Sequence, residues 1–309
     1  MYVSAGLFGI VAAVSALAWQ HNDPPSNDPF GDVKIQKLAE GYHFLDSPVW
    51  TPERRLLFTE PASNTIHVWQ PGQRPEPQVA DSNGARGLTF DAQERLYICE
   101  SRARRVVRLD KKGKREIIAE RWEGKRLNGP NDIVTRKDGH VYFTDSAFGA
   151  AAVAARELNF SGIFHITPKG ELHLVAKWTA GRPNGLAISP NGRHLYVSDA
   201  DQRRIVVFDL DRGGAATNER PFITGLRGVP GGVRCDEKGN LYIASKGISI
   251  YDAQGKHLRD FEMPEASTNL AFGENDLQSL FVSTQTSIYR VRVPYQGYVS
   301  YLNAPASAQ

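Results

Sequence analysis

Six residues at equivalent places in a repeating pattern include side chains that suit the binding of a hard metal ion. Each repeat has a first strand that closes on an apolar or small residue and, after a polar turn, a second strand. Four places before each closing residue stand, in chain order, Asp46, Arg86, Asn131, Asn184, Gly231 and Thr268. Carboxylate and carboxamide oxygens are ligands that Ca²⁺ prefers. The pattern therefore predicts a divalent cation bound by Asp46, Asn131 and Asn184, and Ca²⁺ is the first candidate.

The same residues have a second interpretation. Asn and Asp side chains often bond to nearby backbone and simply shape the loop that enters a strand. Three such residues in one register favour a shared site over three separate loops. Arg86 and Asn131 are also the predicted substrate-binding residues, because a guanidinium and an amide can orient an anionic or hydroxylated small molecule.

The number of repeats predicts the architecture that brings these positions together. The second strands end, in order, at Glu60, Glu100, Asp145, Asp199, Ser245 and Thr284, so the steps between copies are 40, 45, 54, 46 and 39 residues. Periods near 40–50 residues with several strands per unit are typical of β-propellers. We therefore predict an all-β, six-bladed β-propeller, in which the first strand of every blade lines the central channel. The acids that end the second strands are expected to bond to backbone amides rather than to perform chemistry.

Closing the ring requires a strand from one end of the chain to complete a blade begun at the other. Val33 to Leu38 is the expected donor, pairing around Ile288 to Val293, which removes free sheet edges. Cys99 and Cys235 would then lie three blades apart, beyond the ~7 Å that a disulfide can span. Two free, buried thiols are predicted.

Composition narrows the class of partner. The chain has 309 residues, 41% of them apolar, which is enough for one large all-β domain. Its net charge of +3 is too balanced to indicate nucleic acid, and its densest basic stretch, 102–126, is interspersed with acids like a solvated sheet face. A small-molecule substrate is the expected partner.

The first residues indicate export. Residues 1–18 carry no charged side chain, have an apolar middle and end in Ala16-Leu17-Ala18, which fits a signal-peptide cleavage site. No Lys or Arg precedes the apolar run, so an uncleaved membrane anchor is the alternative. We predict a signal peptide at 1–18, a poorly ordered linker at 19–32, a propeller at 33–309, and a periplasmic or secreted protein.

Six phrases, in order, resemble the SMP-30/gluconolactonase/LRE-like family. They are Ser47-Pro48-Val49-Trp50, Asn128-Gly129-Pro130-Asn131-Asp132, Tyr142-Phe143-Thr144-Asp145, Arg182-Pro183-Asn184-Gly185-Leu186, Val229-Pro230-Gly231-Gly232 and Thr268-Asn269-Leu270-Ala271-Phe272-Gly273. The resemblance implies a six-bladed propeller with a divalent cation, often calcium, on its axis and an activity against lactones. It assigns the family's metal-ligand positions to Asp46, Asn131, Asn184 and Gly231.

The chain departs from this family pattern at three positions. Asp46 stands where the family has Glu, Gly231 where it has an Asp that acts in catalysis, and Arg86 where gluconolactonases often have Asn. The catalytic base is therefore not assigned. A guanidinium about 8 Å from a divalent ion costs roughly 4 kcal/mol at an effective dielectric near 20, which is on the order of a thousandfold in affinity. Cation binding is expected to be weakened or lost.

Two functions follow from this comparison. The first is a metal-dependent hydrolase of the gluconolactonase type, acting on a lactone or a related ester. The second is a catalytically impaired propeller, a pseudoenzyme, that binds a small or anionic ligand through Arg86. In the second case, Gly231→Asp together with Arg86→Asn is expected to restore cation binding.

Overall fold

The computed structural model describes residues 28–302 and forms a six-bladed β-propeller of four-stranded antiparallel sheets, as predicted. Blade 1 comprises Asp46–Trp50, Leu56–Glu60, Thr65–Trp69 and Glu76–Val79; blade 2 comprises Ala85–Phe90, Leu96–Glu100, Arg105–Leu109 and Arg115–Ala119; blade 3 comprises Pro130–Thr135, Val141–Asp145, Ser161–Ile166 and Leu172–Trp178. Blade 4 comprises Pro183–Ile188, His194–Asp199, Arg204–Leu210 and Ala216–Ile223; blade 5 comprises Val233–Cys235, Leu241–Ala244, Ile248–Tyr251 and His257–Phe261; blade 6 comprises Ser267–Gly273, Ser279–Thr284, Ser287–Arg292 and Ile35–Glu40.

Two small elements interrupt the repeat. A hairpin of Arg121–Trp122 and Lys125–Arg126 joins blades 2 and 3, and a helix at Ala150–Ala154 follows the second strand of blade 3. The helix has only 5 residues. Both elements stand in the longest connections, where the chain has residues to spare beyond the four strands of a blade.

Burial within a blade falls from the inner strands to the outer one. The second strand of blade 1, Leu56–Glu60, is buried throughout, whereas the fourth strand, Glu76–Val79, is mostly exposed. The hairpins between first and second strands turn at Gly139, with a φ of 91°, and Gly192, with a φ of 69°. Glycine adopts these positive φ values without steric cost, which favours the pairing of first and second strands in blades 3 and 4.

The ring closes with the predicted strand. Ile35–Glu40 pairs antiparallel with Ser287–Arg292, with Ile35 opposite Val291, so the strand begins two residues later than predicted. Phe30 is buried and packs edge-on against Phe261 and Tyr295, with ring centres 5.8 and 5.9 Å away. Asp28 also pairs with Arg259 at 2.7 Å, so Asp28 and Phe30 of the predicted linker contact the propeller.

The predicted signal peptide and the rest of the predicted linker lie outside the described residues, so export stays a prediction. Within residues 28–302, no helix has the length and apolar character needed to cross a membrane. Cys99 and Cys235 are both buried and unpaired, as expected.

The channel is closed at the end where the first strands finish. Tyr298 donates its amide to the carbonyl of Cys235 at 2.9 Å, and Tyr301 donates its hydroxyl to the carbonyl of Trp50 at 2.6 Å. Ser300 lies 3.1 Å from the Thr135 hydroxyl. These contacts place the 298–301 segment across one end of the axis. At the other end, where the first strands begin, Phe44 and the side chain of Arg86 are 39% and 21% exposed, so this end reaches solvent. We call that open end the mouth.

Acids at the ends of second strands hold the loops that lead into the mouth. Asp145 accepts the amides of Asn128 and Gly129 at 2.8 and 2.7 Å, one on each carboxylate oxygen. Asp199 accepts the amide of Arg182 on Oδ1 at 3.1 Å. The expected bonding to backbone amides is thus confirmed for these acids. Glu100 differs, because it pairs with the guanidiniums of Arg105 and Arg115.

Changing Asp145 to Asn should destabilise the fold and disturb the loop before Asn131. An amide keeps one acceptor oxygen but turns an NH₂ group toward a buried backbone N–H, which leaves that donor unpaired. We expect the free energy of unfolding in urea to fall by about 1–3 kcal/mol.

Asp110→Asn is the matched control. Asp110 also accepts two backbone amides, from Lys112 and Lys114, but it does so in an exposed hairpin and through a single oxygen. That change should alter stability by no more than about 0.5 kcal/mol. Equal effects of the two substitutions would contradict the role assigned to Asp145.

Candidate functional site

The first strands of blades 1 and 2 place an ion pair at the mouth. Arg86 Nη1 lies 3.2 Å from Asp46 Oδ2, and the two side chains are 21% and 9% exposed. The second oxygen of Asp46 is fixed by the amide of Ser47 at 2.8 Å and by Asn269 Nδ2 at 3.1 Å. Arg86 therefore points inward, as the blade register predicts, and the only ring carboxylate is paired with it.

Two aromatic rings flank the guanidinium of Arg86. Its central carbon lies 5.5 Å from the ring centre of Phe44 and 5.7 Å from that of Phe148. Phe44 precedes blade 1 with a φ of 67°, a conformation uncommon for an aromatic residue. Phe148 follows the second strand of blade 3. Cation–π contacts of this kind hold the guanidinium in its position at the mouth.

The first strands of blades 3 and 4 bring the two predicted carboxamides into direct contact. Asn131 Nδ2 donates to Asn184 Oδ1 at 2.5 Å, and Asn184 Nδ2 donates to the carbonyl of Pro230 in blade 5 at 3.1 Å. Asn131 is buried, and its Oδ1 has no hydrogen-bond partner. An unpaired buried acceptor is costly, so this oxygen is suited to a ligand that supplies a donor or a positive charge.

Gly231 in blade 5 contributes no side chain and has no room for one. A Cβ atom built on it would overlap the carbonyl oxygen of Thr268 in blade 6. The clash is with backbone, so an Asp side chain at this position requires the blades to move apart. Restoration of a cation site by Gly231→Asp together with Arg86→Asn stays a prediction, and it requires this backbone movement.

The predicted positions meet as neighbours around the axis, in two directly bonded pairs. Asp46 contacts Arg86, and Asn131 contacts Asn184, while no hydrogen bond between described residues joins one pair to the other. Thr268, the sixth position, donates its hydroxyl to the carbonyl of Leu45 and so links blade 6 to blade 1. These contacts bring together residues that are far apart in sequence.

Sequence reasoning missed Phe44, Phe148 and Asn269. The aromatic residues lie in loops outside the repeat, so a register of strands cannot place them. Asn269 directly follows a ring position, but nothing in the pattern shows that its amide reaches Asp46 in the next blade. The only signal in the sequence was that a buried Asp46 carboxylate would need a hydrogen-bond donor.

Charge at the mouth is balanced locally. Burial raises the pKa of the Asp46 carboxyl, and the nearby Arg86 charge works against that rise. Asp132, fully buried one residue after Asn131, raises the Asp46 pKa further and is itself paired with Arg234, whose Nη1 lies 3.4 Å away. Each carboxylate on the axis thus has its own guanidinium.

The oxygen atoms at the mouth are of the type that a hard cation binds, but they carry too little negative charge for a divalent ion. Asp46 Oδ2, Asn131 Oδ1 and Asn184 Oδ1 are oxygen ligands, and Asn131 Oδ1 is unpaired. Among residues 28–302, no group of three or more His, Cys, Asp or Glu side chains could hold a metal ion. A cation at this position must therefore compete with Arg86 for a single carboxylate.

Several known proteins are similar to this chain over most of its length. The gluconolactonase of Zymomonas mobilis is 31% identical over 301 residues, covering 87% of this chain and 84% of that protein. Pentonolactonase XacC of Haloferax volcanii is 26% identical, covering 80% and 81%. A solved gluconolactonase from Xanthomonas campestris superposes with a TM-score of 0.80 at 28% identity, covering 86% and 91%. Because the model of the SMP-30/Gluconolactonase/LRE-like region also matches residues 44–286, the chain belongs to that family.

Proposed function

We propose that this protein is a hydrolase of the lactonase type that opens a hydroxylated lactone or a related ester at the mouth of the propeller. The observation that carries the proposal is the ring of Asp46, Arg86, Asn131 and Asn184 at the open end of the channel. Relatives named gluconolactonase and pentonolactonase, matched over most of their length, support the reaction class.

The ring residues have distinct parts in this proposal. Arg86 has one N–H engaged by Asp46 and the others directed to no described residue, so it can orient a substrate oxygen. Asn131 Oδ1 can accept a hydrogen bond from a substrate hydroxyl. Asn184 holds Asn131 in position and is itself held by the Pro230 carbonyl.

The proposal includes a divalent cation, of which Ca²⁺ is the first candidate, and this cation would be bound weakly. Asp46, Asn131 and Asn184 would hold it, and Arg86 would have to release Asp46 for it to bind. A cation there would polarise the substrate carbonyl and stabilise negative charge on its oxygen.

The alternative is a pseudoenzyme that binds a ligand without turning it over. Gly231 specifically favours it, since the family's catalytic carboxylate is absent and its place is filled by the backbone of blade 6. The same fold often serves different functions, so the reaction has to be measured directly.

A panel of five- and six-membered sugar lactones, assayed by acid release with and without Ca²⁺, tests the proposed reaction. We expect hydrolysis by the wild type, and a loss of about a hundredfold in kcat/KM for Asn184→Ala, because Asn131 then loses its anchor.

Asn275→Ala is the matched control. Asn275 is exposed and lies in the hairpin after the first strand of blade 6, on the face opposite the mouth. It should keep wild-type activity, and both variants should retain the far-ultraviolet circular dichroism of the fold. No turnover of any lactone with Ca²⁺ in excess would reject the hydrolase and support the pseudoenzyme.

Calorimetric titration with Ca²⁺ tests the competition for Asp46. Arg86→Asn should tighten Ca²⁺ binding on the order of a hundredfold, since it removes a positive charge beside the only ring carboxylate. Gly231→Asp should give no such gain and should lower the free energy of unfolding by about 1–3 kcal/mol through overpacking.

Arg220→Asn provides the control for charge alone. Arg220 pairs with Asp209 on the outer strands of blade 4, away from the axis. Its loss should leave Ca²⁺ affinity unchanged. Tight Ca²⁺ binding by the wild type, unaffected by Arg86→Asn, would show that Arg86 does not compete with the cation.

A further inference from the structure

The Arg86 guanidinium has hydrogen-bonding capacity that the ring does not use. Within residues 28–302, only Asp46 accepts a hydrogen bond from it, and it does so through Nη1. The Nε and Nη2 groups form the edge of a guanidinium that matches the two oxygens of a carboxylate. A partly exposed guanidinium with this edge unpartnered, at the open end of a channel, is suited to bind an anion.

A second guanidinium shares the same aromatic ring. The central carbon of Arg182 lies 5.0 Å from the ring centre of Phe148, on which Arg86 also rests. Arg182 stands two residues before Asn184, at the entrance to blade 4. Its Nε and Nη2 both donate to Asp201 Oδ1, and its Nη1 donates to no described residue. Phe148 thus brings together two arginines from blades that are not neighbours.

Besides the two arginines, the mouth contains an unpaired hydrogen-bond acceptor. Asn131 Oδ1 is buried and unpartnered in the blade between those of Arg86 and Arg182. A ligand that satisfies both features must carry an acidic group for the arginines and a hydroxyl for Asn131. A neutral sugar lactone would satisfy only the second feature.

We propose that the substrates of this site are lactones of sugar acids that bear a free carboxylate, bound by the unpaired edge of Arg86, with Arg182 on Phe148 as a specificity-determining residue. The inference rests on the proposed lactonase function and narrows its substrate class. Balanced charge at the mouth permits this binding, since each acid there is already paired with an arginine: Asp46 with Arg86, and Asp201 with Arg182.

A matched pair of substrates tests the inference. Galactono-γ-lactone and galactaro-γ-lactone have the same ring size and differ in whether the terminal carbon is a hydroxymethyl group or a carboxylate. Initial rates are required, because every product of lactone opening is itself a carboxylate and can inhibit. We expect the wild type to prefer the carboxylate-bearing lactone in kcat/KM by at least about tenfold.

Arg182→Gln should reduce that preference severalfold through the KM of the carboxylate-bearing lactone, with little change for the neutral one. Arg220→Gln is the matched control, because Arg182 and Arg220 are each 39% exposed and each pairs with an Asp that is 38% exposed. Arg220→Gln should leave the preference unchanged. Arg86→Gln should abolish the preference.

The outcomes separate this inference from the proposed function. Equal hydrolysis of both lactones, or a preference for the neutral one, would overturn the inference while leaving the lactonase intact. If neither these two lactones nor any other lactone of the panel is hydrolysed, the lactonase proposal fails, and calorimetry with the two compounds then decides the inference. Tighter binding of the carboxylate-bearing compound, weakened by Arg182→Gln but not by Arg220→Gln, would support it, and equal binding would reject it.

Discussion

Six inner strands pack around one axis so closely that several of their backbones leave no space for a Cβ atom. A Cβ at Gly87 would lie 2.7 Å from the Cα of Asp132, and one at Gly185 would overlap the carbonyl of Gly231. This packing brings side chains from separate blades to one mouth. It also explains why the loss of the family's Asp at position 231 is not a simple deletion, because the backbone of blade 6 occupies the space that a side chain would need.

The close packing determines what the mouth can do. With one ring carboxylate instead of two, the charge that would attract a divalent cation is halved, and Arg86 neutralises what remains. The same guanidinium, supported by Phe44 and Phe148, offers donors to a substrate. In the proposed function, Arg86 in blade 2 therefore disfavours a cation and favours an anion at the mouth, while Asn131 and Asn184 keep the arrangement that the blade register predicts.

The repeat in the sequence made it possible to predict most of the fold and the side chains that point toward the axis. Positions such as Asp46, Asn131 and Asn184 could be assigned because β-strand register relates equivalent residues in every blade. The contacts of Phe148 and Arg182 could not be assigned, since they depend on loop conformations that no strand period describes. The steric block at Gly231 was also hidden, because it depends on the distance between two backbones rather than on the identity of either residue.

The central claim is that Arg86 neutralises the Asp46 carboxylate at the mouth. A double-mutant cycle on these two residues tests it most directly. The free energy of unfolding would be measured for the wild type, Asp46→Asn, Arg86→Gln and the double variant. We expect the two changes to be coupled by about 1–3 kcal/mol, as for a largely buried pair in contact. Additive effects, with a coupling near zero, would show that the two side chains do not meet and would remove the physical basis for both the weakened cation site and the carboxylate-binding Arg86.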